Sequence, residues 1–221
     1  MNQEKLLDIY NRLYNNYGPQ HWWPGETQFE IIVGAILTQN TNWTNVEKAI
    51  ANLKKAGCLT PAGLHQLPPD LLAQLIRPAG YFNIKARRLK CFLEWLFKEY
   101  DGLLESLETL PVSTLRKKLL AVKGIGPETA DSICLYAFQK PIFVVDAYTA
   151  RIFGRHGMIE SPSGYEQIQD LVHSGLDRNA QLFNEFHALI VQVGKNHCKP
   201  KPLCAGCPLE ELPHQIESEL Y

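Results

Sequence analysis

Three groups of residues have types and spacings that could do chemistry. The first is a lone carboxylate, Asp146, in VVDAYTAR (Val144 to Arg151), where a short apolar piece gives way to a helical pattern. A carboxylate there can cap the helix, or it can stabilise positive charge that develops in a transition state. The second is VKGIGPETAD, Val122 to Asp131. Gly124 and Gly126 admit backbone conformations closed to other residues, Ile125 between them can pin the turn into a core, and Pro127 suits the first position of the next helix. The glycine amides and the helix-start amides would then form a concave donor site for a phosphate, with Lys123 adding charge. Taken alone, the same pattern is also an ordinary helical turn. The third is HCKPKPLCAGCPL, where Cys198, Cys204 and Cys207 follow the spacing C-x5-C-x2-C. MNQEKLLDIYNRLYNNYG at the start has no signal-peptide character, so a cytosolic chain is expected, and clustered cysteines there suggest metal rather than disulfides. Cys58, Cys91 and Cys134 are scattered in apolar helical stretches and read as buried or free thiols.

Around these lie residues suited to a ligand. Trp22, Trp23 and Pro24 in HWWP, with Trp43, could line an electron-rich pocket, or simply pack in the core. Gln39 and Asn40 end an apolar helix. Lys85, Arg87 and Arg88 in KARRLK point to phosphate or solvent, as do the basic runs at Arg116–Lys118 and Lys199–Lys201. The overall charge of −1 counts mildly against nucleic acid as a partner, so the distribution of charge matters more than the sum. No stretch approaches a membrane span, and no membrane partner is expected.

The elements that must position these residues are helical. FEIIVGAIL puts Phe29, Ile32, Val33, Ile36 and Leu37 on one face. NVEKAIANLKK, LPPDLLAQLI, NIKARRLKCFLEWLFKEY, VSTLRKKLLAV, PETADSICLYAF, DAYTARIFGRHG, SGYEQIQDLVHSGL and NAQLFNEFHALIVQVGKNH follow, punctuated by glycine and proline. IFVV is too short to imply a sheet. The class is therefore all-α, without repeats, and 221 residues suffice for one compact domain or two small ones.

The order of these features, a K-G-I-G hairpin followed by V-V-D at a helix start, resembles the endonuclease III superfamily of DNA glycosylases, the helix-hairpin-helix, Gly/Pro-rich, aspartate group. Matching segments run from about His21 to Cys207 and include ILTQNT at Ile36 to Thr41. The resemblance implies two helical lobes with a cleft between them: residues 20–140 as a six-helix lobe ending in the hairpin, and residues 1–19 with 141–221 as the other. It implies a monomer that binds double-stranded DNA containing a damaged base, and Asp146 as the residue that steadies the cationic sugar while a flipped-out base departs. Gln39 and Asn40 would face the duplex and help to fill the hole.

Within that superfamily, bifunctional members carry a nucleophilic lysine two residues after the last hairpin glycine. Here that residue is Glu128, which cannot form a Schiff base, so a monofunctional enzyme using water is expected. Adenine-mismatch members have a catalytic glutamate where this chain has Ala35, and a further C-terminal domain. HWWP, ILTQNT followed by Asn42-Trp43, RPAGYFNIKARR and GIGPETAD are similar to the 3-methyladenine glycosylases. Glu128 and the tryptophans would border the base pocket. An alkylated purine is cationic and leaves readily, and indole rings attract it by stacking and cation–π interaction, at roughly 0.5 to 2 kcal/mol per contact.

Many relatives hold a 4Fe–4S cluster through C-x6-C-x2-C-x5-C. This chain is one residue short in the first gap and has Pro213 at the fourth position, with His214 next. A 4Fe–4S cluster with one odd ligand, a zinc ion held with His214 or His197, and a metal-free relic all remain open. Two functional alternatives stand beside the alkylpurine glycosylase. One is an endonuclease III-like enzyme, with or without lyase activity, for oxidised or mismatched pyrimidines; the other is a non-catalytic module that binds damaged DNA.

Overall fold

The computed structural model describes residues 2–22, 25–160 and 162–215. Among them there is helix and loop but no strand, as an all-α pattern requires, and no helix is long and apolar enough to cross a membrane. The chain forms two compact units, one of residues 23–140 and one of residues 1–22 with 141–221.

The chain opens with α1 (Asn2–Tyr17), which belongs to the discontinuous unit. The continuous unit is built around α2 (Gln28–Leu37), a helix apolar on almost every side. Thr27 caps it, accepting from Glu30 N, and Phe29, Ile32, Val33, Ile36 and Leu37 are all buried. Around it lie α3 (Trp43–Lys55), α4 (Pro61–Gln66), α5 (Pro69–Leu75) and a 3-10 turn at Arg77–Ala79. Gly80 and Tyr81 both take left-handed backbone (φ 67° and 44°) at the sharp entry to α6 (Phe82–Tyr100). Next come α7 (Glu105–Glu108), α8 (Val112–Leu120) and α9 (Pro127–Ser132).

The helix expected from Pro127 to Phe138 is α-helical only to Ser132. It continues as a π-helical turn, Ile133–Ala137, whose side chains are all buried. Widening the turn there matches the helix to tight packing on α2 and α8.

In the discontinuous unit, α10 (Ala147–Arg155), α11 (Tyr165–Gly175) and α12 (Ala180–Asn196) pack with α1 around Phe143, Phe153, Phe183 and Phe186. The apolar segment before Asp146 is extended without a partner strand. Its backbone is satisfied by α11 side chains instead. Phe143 N donates to His173 Nε2 (2.9 Å), Phe143 O accepts from Gln169 Nε2 (2.6 Å), and Val145 N donates to Tyr165 Oη (3.3 Å). Those bonds deliver Asp146 to the start of α10 at a fixed register.

Candidate functional site

In the continuous unit the hairpin joins α8 to α9. Gly124 is left-handed (φ 94°), and a Cβ there would overlap the Arg88 side chain, so glycine is required twice over. Gly126 differs from the expectation. It is the extended N-cap of α9 (φ −93°) with open space around it, a conformation any residue adopts. Ile125 is buried, whereas Lys123, Gly124 and Gly126 lie at the surface.

Three residues expected to meet DNA have other work. Gln39 donates to Gly124 O (3.0 Å) and Thr129 Oγ1 (2.9 Å), and its Oε1 accepts from the Arg88 guanidinium. Gln39 and Arg88 thus brace the hairpin from α2 and α6 rather than reaching outward. The correction for Lys85 is larger. It is 1% exposed, and its ammonium donates to Leu37 O (2.8 Å) and Ala79 O (2.7 Å). It closes the carbonyl end of α2, where positive charge is favoured, and burial followed by the nearby Arg88 charge lowers its pKa to about 8. Asn40 and Arg87 are exposed, Asn40 with left-handed backbone (φ 52°). Glu128 is exposed on the first turn of α9, where a carboxylate suits the helix dipole. Trp43 opens α3, half-buried, and donates from Nε1 to Glu47 Oε1 one turn along (2.8 Å).

In the discontinuous unit Asp146 caps α10. Its Oδ1 accepts from both Thr149 N (2.8 Å) and Thr149 Oγ1 (2.9 Å), and its Oδ2 lies 3.5 Å from His187 Nε2 on α12. Burial alone pushes the carboxyl pKa up; the His187 contact and the Thr149 hydrogen bonds outweigh it and hold the group below its ordinary value. The carboxylate is therefore ionised and fixed in orientation. Trp22 belongs to the same unit, and Lys195 of α12 lies over its ring, 5.6 Å from the centroid. Trp23 and Pro24 lie outside the described residues.

Cys198, Cys204 and Cys207 line one recess of about 380 Å³, open mouth included, together with His156, His197 and His214. Burial and then the neighbouring Cys198 and Cys204 thiols push the Cys207 pKa up, against a backbone hydrogen bond that lowers it. Among the described residues no three His, Cys, Asp or Glu side chains converge tightly enough to hold a single ion. A tetrahedral zinc needs all its donors within ~2.3 Å of one point. Three thiols lining one recess are the donor type that iron–sulfur groups use.

The sequence reading missed the residues that hold this loop. Arg155 donates to Cys198 Sγ (3.2 Å), Lys199 O (2.7 Å) and Pro200 O (2.9 Å), and Arg151 donates to Cys198 O (2.7 Å). The i, i+4 spacing of two arginines on α10 was the available signal. One helix therefore carries Asp146 at its start and grips the cysteine loop at its end.

Residues 33–177 match the family model of HhH-GPD superfamily base excision DNA repair proteins. A Methanocaldococcus jannaschii protein named as a candidate DNA repair glycosylase is 44% identical over 210 residues, covering 95% of this chain and 96% of its own length. Endonuclease III of Thermotoga maritima is 29% identical over 184 residues, covering 82% and 80%. Among solved structures, the 3-methyladenine DNA glycosylase of H. pylori bound to 1,N6-ethenoadenine is similar at 30% identity and TM-score 0.74, covering 88% of this chain and 97% of that one. An endonuclease III–DNA complex shares the fold, at TM-score 0.82 and 22% identity over 96% and 94% of the two chains.

Proposed function

The chain belongs to the HhH-GPD superfamily of base excision DNA repair proteins, and on that premise we propose that it is a monofunctional DNA glycosylase which hydrolyses the N-glycosidic bond of alkylated purines such as 3-methyladenine. The observation that carries the reading is Asp146: an ionised, nearly buried carboxylate clamped on one oxygen by Thr149.

As the base departs, positive charge builds on the deoxyribose. A pre-oriented carboxylate stabilises that charge without reorganising and can align the water that attacks C1′. Thr149 keeps Oδ1 occupied, so the chemistry falls to Oδ2, the oxygen beside His187. Glu128 in the place of a lysine leaves water as the nucleophile, and an abasic site as the product. The hairpin, with Lys123 exposed beside Gly124 and Gly126, grips backbone phosphate. Arg87 and Asn40 contact the duplex from neighbouring surface positions.

An alkylated purine is already cationic, so little acid catalysis on the base is needed. Trp22, whose ring already draws the Lys195 ammonium, supplies the electron-rich face that selects it. The 30% identity to the H. pylori enzyme named for 3-methyladenine supports this substrate class. Cys198, Cys204 and Cys207 hold a 4Fe–4S cluster, which supplies a structural cross-link for the loop that carries Lys199 and Lys201 and takes no part in bond cleavage. The protein acts as a cytoplasmic monomer on double-stranded DNA, at the nucleoid if its host is bacterial.

The test is release of 3-methyladenine from methylated DNA by the wild type and by Asp146→Asn. Release by the wild type alone is expected, whereas a wild-type preparation that frees no methylated purine would reject the substrate. Excision of an oxidised or mismatched pyrimidine from a lesion panel would favour the endonuclease III-like alternative. Binding of abasic DNA with no base released would favour the non-catalytic one.

A further inference from the structure

The cysteine recess holds one thiolate too few for an all-cysteine cluster. Cys58, Cys91 and Cys134 belong to the other compact unit. We infer that His214 is the fourth ligand, binding iron through Nε2, so that the chain carries a cluster ligated by three cysteines and one histidine; this rests on the cluster reading above.

His214 lines the recess beside the three thiols. Its Nδ1 lies 2.8 Å from Leu212 O. A carbonyl oxygen can only accept, so Nδ1 carries the proton, and in the neutral ring the lone pair is then on Nε2. A ligating histidine needs that arrangement, in which an outer hydrogen bond fixes the tautomer and aims the ring. His214 also reaches the recess from the far side of the loop, after Cys207, where the spacing leaves a position open.

Two other imidazoles line the recess, and both have supporting roles. His156, on the C-cap of α10, has Nδ1 3.1 Å from Pro213 O, and its ring centroid lies 5.5 Å from that of His214. It therefore props the segment that presents His214. His197 precedes Cys198 directly, and its Nδ1 lies 3.0 Å from Leu203 O, closing the first cysteine loop on itself.

Exchanging a thiolate for a neutral imidazole makes the ligand set one charge less negative. It thereby raises the reduction potential, as histidine ligation does in other iron–sulfur centres.

The test uses the full-length protein purified without oxygen, with iron and sulfide content measured beside the visible spectrum. After reduction, pulsed paramagnetic resonance on protein labelled with 15N-histidine reads any nitrogen bound to the cluster. A directly coordinated nitrogen is expected in the wild type, in His156→Ala and in His197→Ala. In His214→Cys the cluster should remain, the nitrogen signal should vanish and the reduction potential should fall. A cluster with no bound nitrogen, or one whose nitrogen signal survives His214→Cys, overturns His214 while leaving the cluster in place. A preparation without iron, or with one zinc per chain, removes the cluster reading and this inference together. Excision activity, scored separately, bears on neither outcome.

Discussion

His187 Nε2 stands 3.5 Å from Asp146 Oδ2, with the two side chains only 7% and 12% exposed. This pair joins the start of α10 to the middle of α12 and sets the electrostatics of the carboxylate, because burial alone would drive Asp146 toward its neutral form. His187 is a positioning residue for Asp146. Asp146→Asn keeps an acceptor for Thr149 and so keeps the cap, but removes the charge. Excision should fall about 10²- to 10³-fold, by analogy with the loss of one transition-state-stabilising group, and the melting temperature at neutral pH should drop as well, because the contacts that hold the carboxylate ionised are lost. His187→Gln should lower the turnover of excision less, and should leave affinity for an abasic duplex unchanged.

The same carboxylate makes an acid-stability prediction. Its folded pKa lies below the unfolded value, which is ordinarily about 3.9. Its contribution is therefore fully present above the unfolded value and is lost as pH falls through the depressed folded one. Urea midpoints measured downward from neutral pH should drop less steeply for Asp146→Asn than for the wild type. Parallel curves for the two proteins would show that the carboxylate is not held ionised.

Lys85 gives the opposite limb. Its pKa is lowered to about 8, against ~10.4 for an unfolded lysine. Between those values the unfolded chain binds more protons than the folded one, so this group adds stability as pH rises from about 8 to about 10. Lys85→Met should abolish that rise. It should also cost about 1–3 kcal/mol near neutral pH, because Leu37 O and Ala79 O lose their buried donor. Chemical denaturation across that alkaline range is the measurement.

Lys85 also shows what was legible in the sequence. The helical periods, the cap at Asp146 and the glycine demanded at Gly124 follow from local rules, and the structure has them. Yet Lys85 falls on the buried stripe of α6 with Ala86, Leu89, Phe92 and Leu93. The spacing placed it inside while its charge argued for outside, and only knowledge of the unpaired carbonyls at Leu37 and Ala79 decides between them. His187 was hidden in the same way, on the buried face of α12 among Phe183, Phe186 and Ile190. The bracing contacts of Gln39 were not legible because its partners, Gly124 O and Thr129 Oγ1, are distant in sequence. Local pattern finds elements; it does not find which polar groups the fold brings face to face.

The brace on the hairpin can be tested directly. Gly124→Ala forces a left-handed alanine, at about 1–2 kcal/mol, and pushes against Arg88. Arg88→Ala relieves the overlap but not the backbone strain. The double variant should therefore recover only part of the lost stability, and part of the lost DNA affinity. Lys123→Ala should leave stability alone and reduce the salt dependence of DNA binding by about one phosphate contact. Salt titrations of duplex binding distinguish the two effects.

Glu128 makes the proposed reaction type testable. Wild-type protein incubated with its lesion duplex and borohydride should give no covalent adduct, since no amine occupies the place of the family's nucleophile. Glu128→Lys puts an amine on the exposed first turn of α9, where the positive end of the helix dipole lowers its pKa and frees the lone pair for attack. A trapped adduct should then appear, and it should be lost again when Asp146→Asn is added, because the sugar cation still needs its counter-charge. A trapped adduct in the wild type would identify another lysine as nucleophile, with Lys123 the first to replace, and would move the enzyme to the bifunctional class.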